Sequence, residues 1–282
     1  MIRIIVDSTC EAPDKLMAHP AVTMVPLYVL FGKEALKDRA QITQEQFWAR
    51  LPSADPPPTT SQPTPADFLE PFQRFTEAGD EVIAITISAK LSGTYDSAMQ
   101  AKAGLPGRPI EVVDSLTASV GLGLMLREAL AMLEGGAPFA EIVAKMKAMV
   151  PEIHLDFALD TLEYLQRGGR IGKAQAFVGT LLSFKPLLAL VDGEVVPVGR
   201  ARSRSKVIDA MLKHLGQAVS ARGPQVKLGV THAGVPEEAA EVARRLSEYF
   251  ESPHVIIGSL GPVLGTHVGP GTIAGAVYAE ER

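Results

Sequence analysis

The sequence predicts an α/β fold of two α/β domains: a parallel sheet with helices on both faces, then a mixed sheet with helices. Three observations predict it. In the first half, short apolar runs alternate with polar loops and helical stretches about four times, the pattern of β–α units around a parallel sheet. Further on, Asp192-Gly193 lies between two apolar runs, a hairpin signal that brings antiparallel pairing into the second half. The length agrees, since 282 residues at roughly 150 per domain make two domains. The boundary is placed near Pro151, giving domains of residues 1–150 and 151–282.

The elements follow in order. Residues 2–6 are a buried strand ending at Asp7-Ser8-Thr9, and the next helical stretch has Pro13 near its start. Val22–Phe31 reads as one strand. Thr43 and Gln46 form a capping box for a short helix over residues 44–51. Pro56, Pro57 and Pro58 stiffen a loop that continues through Thr59-Thr60-Ser61-Gln62. Thr64 caps the following helix, with Pro65 at its first position and Asp67 in the box. A strand over 82–87, the loop and helix from Ser88 to Tyr95, a strand over 110–113 and helices over 117–134 and 138–149 complete the first half.

The second half opens with a strand over 155–159, a short helix over 161–166 and a glycine-rich turn over 167–172. Residues 174–184 read as helical, 186–191 and 194–198 as the hairpin strands. Helices over about 203–220 and 236–250 enclose a strand over 226–231. A strand over 255–257 and a glycine-rich irregular region over 258–275 close the chain.

Composition removes several classes of function. With 27 Lys and Arg against 32 Asp and Glu, the chain lacks the basic footprint of a nucleic-acid binder. No apolar run is long enough to span a bilayer, and the first residues are too short a run for a secretory signal, so a cytoplasmic protein without stable membrane insertion is expected. Cys10 is the only cysteine and the six histidines are scattered, so no metal site is expected. There is no P-loop, no G-x-G-x-x-G after the first strand and no G-x-S-x-G elbow.

Several residues are candidates for chemistry. Asp7-Ser8-Thr9, Thr59-Thr60-Ser61-Gln62 and Leu91-Ser92-Gly93-Thr94 are hydroxyl-rich segments at strand ends or helix starts. Each suits an oxyanion, although helix capping is the ordinary role of such residues. Parallel strands bring their carboxyl ends together, which favours a shared site. His267 lies among glycines and prolines, where irregular backbone holds functional groups or a structural histidine. Arg167-Gly168-Gly169-Arg170 reads either as an anion contact or as a helix C-cap with Gly168 left-handed. Arg200, Arg202, Arg204 and Lys206 recur at every second residue, a one-faced row as far as the strand continues, with a helix expected from about Ser203.

Taken together, these motifs resemble the DegV family of bacterial fatty-acid-binding proteins. The matching stretches are Ile5–Thr9, Thr60–Pro63, Leu91–Tyr95, Val113–Ser115, Thr161–Leu165, Arg167–Ile171, Lys185-Pro186 and His267–Gly271, which cover nearly the whole chain. The resemblance implies a DegV-like two-domain fold with a long-chain fatty acid held between the domains. It implies a lipid-binding subunit, not itself an enzyme, that needs no cofactor and serves a separate ATP-dependent fatty acid kinase. Carried over, Thr60 and Ser92 hold the carboxylate with Ser61, Gly93 and His267 close by, while Arg170 and Arg202 face the phosphate or the kinase. Apolar residues between Phe177 and Leu190 are candidates for the tunnel wall or for ordinary core. Two alternatives follow from the same residues. One is a ketone- or sugar-binding or kinase-type domain gripping its ligand through His267, with Asp7 or Asp114 as proton acceptor; the other is a lipid sensor without a kinase.

Overall fold

The computed structural model describes residues 1–178 and 184–279. The first half runs β1 (Ile2–Asp7), α1 (Asp14–Met17), β2 (Val22–Val25), β3 (Tyr28–Phe31), β4 (Glu34–Lys37), α2 (Gln44–Arg50) and β5 (Thr59–Ser61). It continues with α3 (Pro65–Glu77), β6 (Glu81–Thr86), α4 (Thr94–Ala103), β7 (Ile110–Asp114), α5 (Val120–Glu134) and α6 (Phe139–Met149). The second half is β8 (His154–Ala158), α7 (Glu163–Arg167), β9 (Lys185–Val191), β10 (Glu194–Ala201), α8 (Arg204–Ala218) and β11 (Val226–His232). It ends with α9 (Pro236–Phe250), β12 (Val255–Ser259), α10 (Pro262–Val268) and β13 (Ile273–Ala279).

The architecture is α/β with one parallel and one mixed sheet. Strands β2-β1-β6-β7 make a parallel sheet, and β10-β9-β8-β13-β11-β12 a mixed one in which only β11 and β12 run parallel. In the first sheet the side chains alternate as a two-sided strand requires. Ile5, Val82 and Ala84 pack with Phe68 of α3 and Ala98 of α4, while Ile4, Val6, Ile83 and Ile85 pack with α5 and α6. That second cluster also takes in Leu155, Phe157, Leu188 and Ala276 from the mixed sheet, so α5 is shared between the two sheets. The far face of the mixed sheet is covered by α8 and α9 through Val207, Met211, Leu246 and Phe250.

Both capping boxes form as their sequences specify, Thr43 with Gln46 and Thr64 with Asp67. In the hairpin turn Asp192 and Gly193 take φ of 50° and 80°, the pair of left-handed residues that a two-residue turn needs.

Four expectations are corrected. Val22–Phe31 is two strands in different sheets: Pro26 has no N–H for a ladder, and β3 leaves to pair with β4 and β5 in a small antiparallel sheet. Thr59–Ser61, expected as loop, is β5 of that sheet. Where a helix is expected over 174–184, the described residues hold a six-residue 3-10 helix, Gly172–Phe177; residues 179–183 lie outside the described residues, and Phe184 is in no helix. The glycine-rich region expected to be irregular holds α10 and the strand β13, which pairs with both β8 and β11. The basic row breaks where expected: Arg200 is on β10, Ser203 caps α8, and Arg204 forks onto Glu238.

On the α8 side of the mixed sheet, the buried Asp156 carboxylate meets His214 Nδ1 at 2.8 Å. That bond holds the His214 imidazolium above its ordinary 6.5. A base whose pKa is raised on folding stabilises the fold below its unfolded pKa, and the contribution is lost as pH rises through the folded one. The urea midpoint of the wild type should therefore fall more between pH 6 and pH 8 (roughly the titration range of a histidine) than that of His214→Gln. Equal falls would show that the pair does not couple to folding.

Candidate functional site

Between the two sheets lies a cavity with about 1020 Å³ free of protein atoms, part of it continuous with solvent. The mixed sheet supplies one wall. Val195, Leu190 and Leu155 are register neighbours across β10, β9 and β8, and Phe157 stands beside Ala274. Leu27, Ile87 and Leu91 come from the first half, and Leu260, Val263, Leu264 and Val268 from α10 and the residue pair before it. These side chains look like ordinary core in the sequence, yet they face unfilled space.

Polar groups of three segments also line the cavity: Thr60, Ser61 and Gln62 around β5, Ser92 before α4, and His267 in the last turn of α10. Thr60 is brought there by pairing with Val29 of β3. Its Oγ1 lies 2.7 Å from His267 Nε2. Burial, helped by the nearby Arg170 charge, pushes the His267 imidazole down to about 4, so the ring is neutral at pH 7. Its Nδ1 is buried against Gly168 with no hydrogen-bond partner. A buried N–H without a partner costs more than a buried acceptor without one. The ring proton therefore belongs on Nε2, where it is donated to Thr60, and the Thr60 hydroxyl hydrogen is left to point into the cavity.

The Ser92–Thr94 pair has the same surplus. Ser92 Oγ is 2.8 Å from Thr94 Oγ1, and two hydroxyls sharing one bond leave one hydrogen over. Ser61, by contrast, donates to the Gln62 carbonyl at 3.3 Å. The site thus presents neutral O–H donors to an acceptor, a geometry suited to a carboxylate at one end of an apolar chain.

Of the other expected residues, Arg170 lines the cavity and is fixed by bonds to the carbonyls of Leu91 (3.2 Å) and Gly168 (2.9 Å). Gly93 does not line the main cavity. It borders an adjoining open hollow with Lys90, Arg170 and Lys173, which shares Leu91, Ser92 and Val195 with the cavity. A Cβ on Gly93 would collide with the Gln62 amide. Arg202 is not brought to the site; it is exposed and lies over the Phe184 ring.

Other readings are corrected here. Asp7, Ser8 and Thr9 are wholly buried, and Asp7 accepts from the Thr9 N–H and hydroxyl and from Ile87 N, so this loop ties down β6 and offers no anion site. Asp114 accepts from Ala89 N and Leu116 N and borders a different groove. Neither carboxylate reaches His267, which removes the proton acceptor of the ketone reading. His267 stands on a helix, not on irregular backbone. After α7 the left-handed residue is Gly169, at φ 68°, whereas Gly168 is right-handed and bare of a side chain because the His267 ring packs on it. Among the described residues of the Phe177–Leu190 stretch only Leu190 lines the cavity, while Leu187 and Leu188 are core; residues 179–183 lie outside the described residues. Gln62 is a lining residue that the sequence motif held without assigning a role.

Among the described residues no three His, Cys, Asp or Glu side chains group as a metal would require, and no helix is long and apolar enough to cross a membrane.

A parallel and a mixed sheet enclosing an apolar cavity with hydroxyl donors at its head define a small-ligand-binding α/β protein. The comparisons narrow the class. A family model described as an uncharacterised protein of the DegV family matches residues 1–280, and the chain belongs to that family. A "Fatty acid-binding protein" of Thermotoga maritima is 33% identical, covering 100% of this chain and 99% of its own. The solved structure described as "Fatty Acid Binding of a DegV family Protein from Thermus thermophilus" superposes with a TM-score of 0.92 at 35% identity over 99% of both chains. That of "DegV, a fatty acid binding protein from Bacillus subtilis" gives 0.87 at 29% identity, again over 99% of both.

Proposed function

We propose that this protein is a cytoplasmic, non-enzymatic carrier that holds a long-chain fatty acid in the cavity between its halves and presents the carboxylate to a separate ATP-dependent kinase. One observation carries the reading: the hydroxyls of Thr60 and Ser92, each in a pair that leaves one hydroxyl hydrogen over, come from separate segments to the same largely apolar cavity. The relatives named above supply the ligand class. Burial contributes about 0.8 kcal/mol per methylene, so a ~14-methylene tail offers roughly 11 kcal/mol gross before ordering costs. The tail supplies affinity and the hydroxyls fix the head.

Neutral donors leave the carboxylate oxygen more nucleophilic than a bidentate arginine would. Arg170, at the junction of cavity and basic hollow, then faces a phosphoryl group arriving from outside and steadies its developing charge. Arg202, exposed beyond the cavity, is left for contact with the kinase.

Mass spectrometry of the denatured, purified protein should detect a long-chain fatty acid at close to one per chain. Delipidated protein should take up added palmitate. Recovery of empty protein that ignores added palmitate would overturn the reading.

A further inference from the structure

Beyond its head, the cavity is lined by two more hydroxyls: that of Thr272 is spent on the Val268 and Gly269 carbonyls, and that of Ser119 the proposed function leaves idle. Ser119 lines the cavity and is only 5% exposed. Its Oγ lies 3.0 Å from Thr231 Oγ1 of β11, itself fully buried. The two hydroxyls carry two hydrogens and share a single bond, and neither has another side-chain partner. One O–H of the pair is therefore unspent, beside Ala274, the register neighbour of Thr231 on β13.

The backbone sets this hydroxyl in place. Ser119 has φ 56° and ψ −131°, a conformation that costs a residue with a side chain about 1–3 kcal/mol and a glycine little. Its position along the cavity is also fixed. The Ser119 carbonyl accepts from Glu11 N, and the Glu11 carboxylate accepts from Gly261 N at the start of α10. His267 is at the other end of that helix, about 9 Å away at 1.5 Å per residue. Ser119 is thus tied to the start of α10 while His267 stands near its end, so an acyl chain with its head at Thr60 and His267 meets Ser119 along its tail.

We infer that Ser119, with Thr231, is a specificity-determining residue for an acyl chain bearing an oxygen along its tail, as a hydroxyl, keto or epoxide group. The inference rests on the fatty-acid reading and adds the class of chain. A plain methylene over Ser119 leaves a buried donor unsatisfied, whereas an oxygen there accepts its hydrogen.

The test is competitive loading of delipidated protein with octadecanoate and hydroxyoctadecanoates bearing the hydroxyl along the tail, the bound ratio being read by mass spectrometry. In Ser119→Ala/Thr231→Val the ratio of hydroxylated to plain acid should fall about tenfold for the best-placed isomer. For α-hydroxyoctadecanoate, whose extra oxygen stays beside the head, it should not move. Continued retention of octadecanoate shows the variant folded. Unchanged ratios for every tail isomer would overturn the inference while the carrier reading stands, whereas wild type that retains neither acid would overturn the carrier reading itself.

Discussion

Replacing Arg39 by alanine is expected to destabilise the protein by about 3–5 kcal/mol, the usual cost of stripping one partner from a buried ion pair. Arg39 is paired with Glu11, whose side chain is 1% exposed and whose other oxygen accepts from Gly261 N at 2.7 Å. The pair joins the segment after β1, the turn after β4 and the head of α10. Without the guanidinium, the Glu11 carboxylate is left among the buried Asp7 and Asp38, and Asp38 is already pushed up to about 7 by its burial. Burial raises the Glu11 carboxyl from its ordinary 4.5 even with Arg39 present, and more steeply once Arg39 is gone. A carboxyl raised on folding contributes stability below its unfolded pKa and loses it as pH rises through the folded one. The deficit of the variant should accordingly grow from pH 5 toward pH 8, as urea denaturation at each pH would read (roughly the span over which such a carboxyl titrates). A loss below about 1 kcal/mol, typical of an exposed pair, would show that the pair does not hold the fold.

What the sequence discloses about this fold is what neighbouring residues decide among themselves. Thr43 with Gln46 and Thr64 with Asp67 are complete capping devices within four residues, and Asp192-Gly193 is a complete turn. The small sheet of β3, β4 and β5 is not legible, because Thr60 meets Val29 only through long-range pairing and Pro26 merely breaks a run that otherwise reads as continuous. Helix α10 was hidden by its glycines, which packing demands. A Cβ on Gly265 would come within 2.7 Å of Phe47 and 2.8 Å of Trp48, and Gly269 ends the helix at φ 75°. In β13, Gly275 makes room for Leu215 and Leu246, so a central strand looks like a glycine-rich loop.

The head of the site was legible as short hydroxyl-rich motifs, although capping is the ordinary duty of such residues. The cavity was not, since Leu155, Phe157 and Leu190 carry the same apolar signature whether they face a neighbour or a void. Ser119 was equally silent: the helix expected over 117–134 encloses it, whereas it precedes α5 and its side chain makes no capping bond.

The double substitution Thr60→Val/Ser92→Ala should weaken octadecanoate binding about 10²-fold or more, since each hydrogen bond to a charged group is worth roughly 1.5–3 kcal/mol. Valine preserves the shape of threonine, so β5 keeps its place and the loss reports the missing donors. His267→Ala should cost less, because the Thr60 hydroxyl survives it and loses only its fixed orientation. The order of the two effects tests the proton placement directly. If removing the imidazole costs more than removing both hydroxyls, the ring itself grips the carboxylate and Thr60 serves only to hold the ring. The pH dependence supplies an independent check. With His267 uncharged above about 4, affinity measured by titration calorimetry should be level from about pH 6 to pH 8, where the fatty carboxylate is ionised and the ring stays neutral. A fall in affinity across that interval would mean a protonated His267 forms the contact, and the neutral hydroxyl head would have to be abandoned.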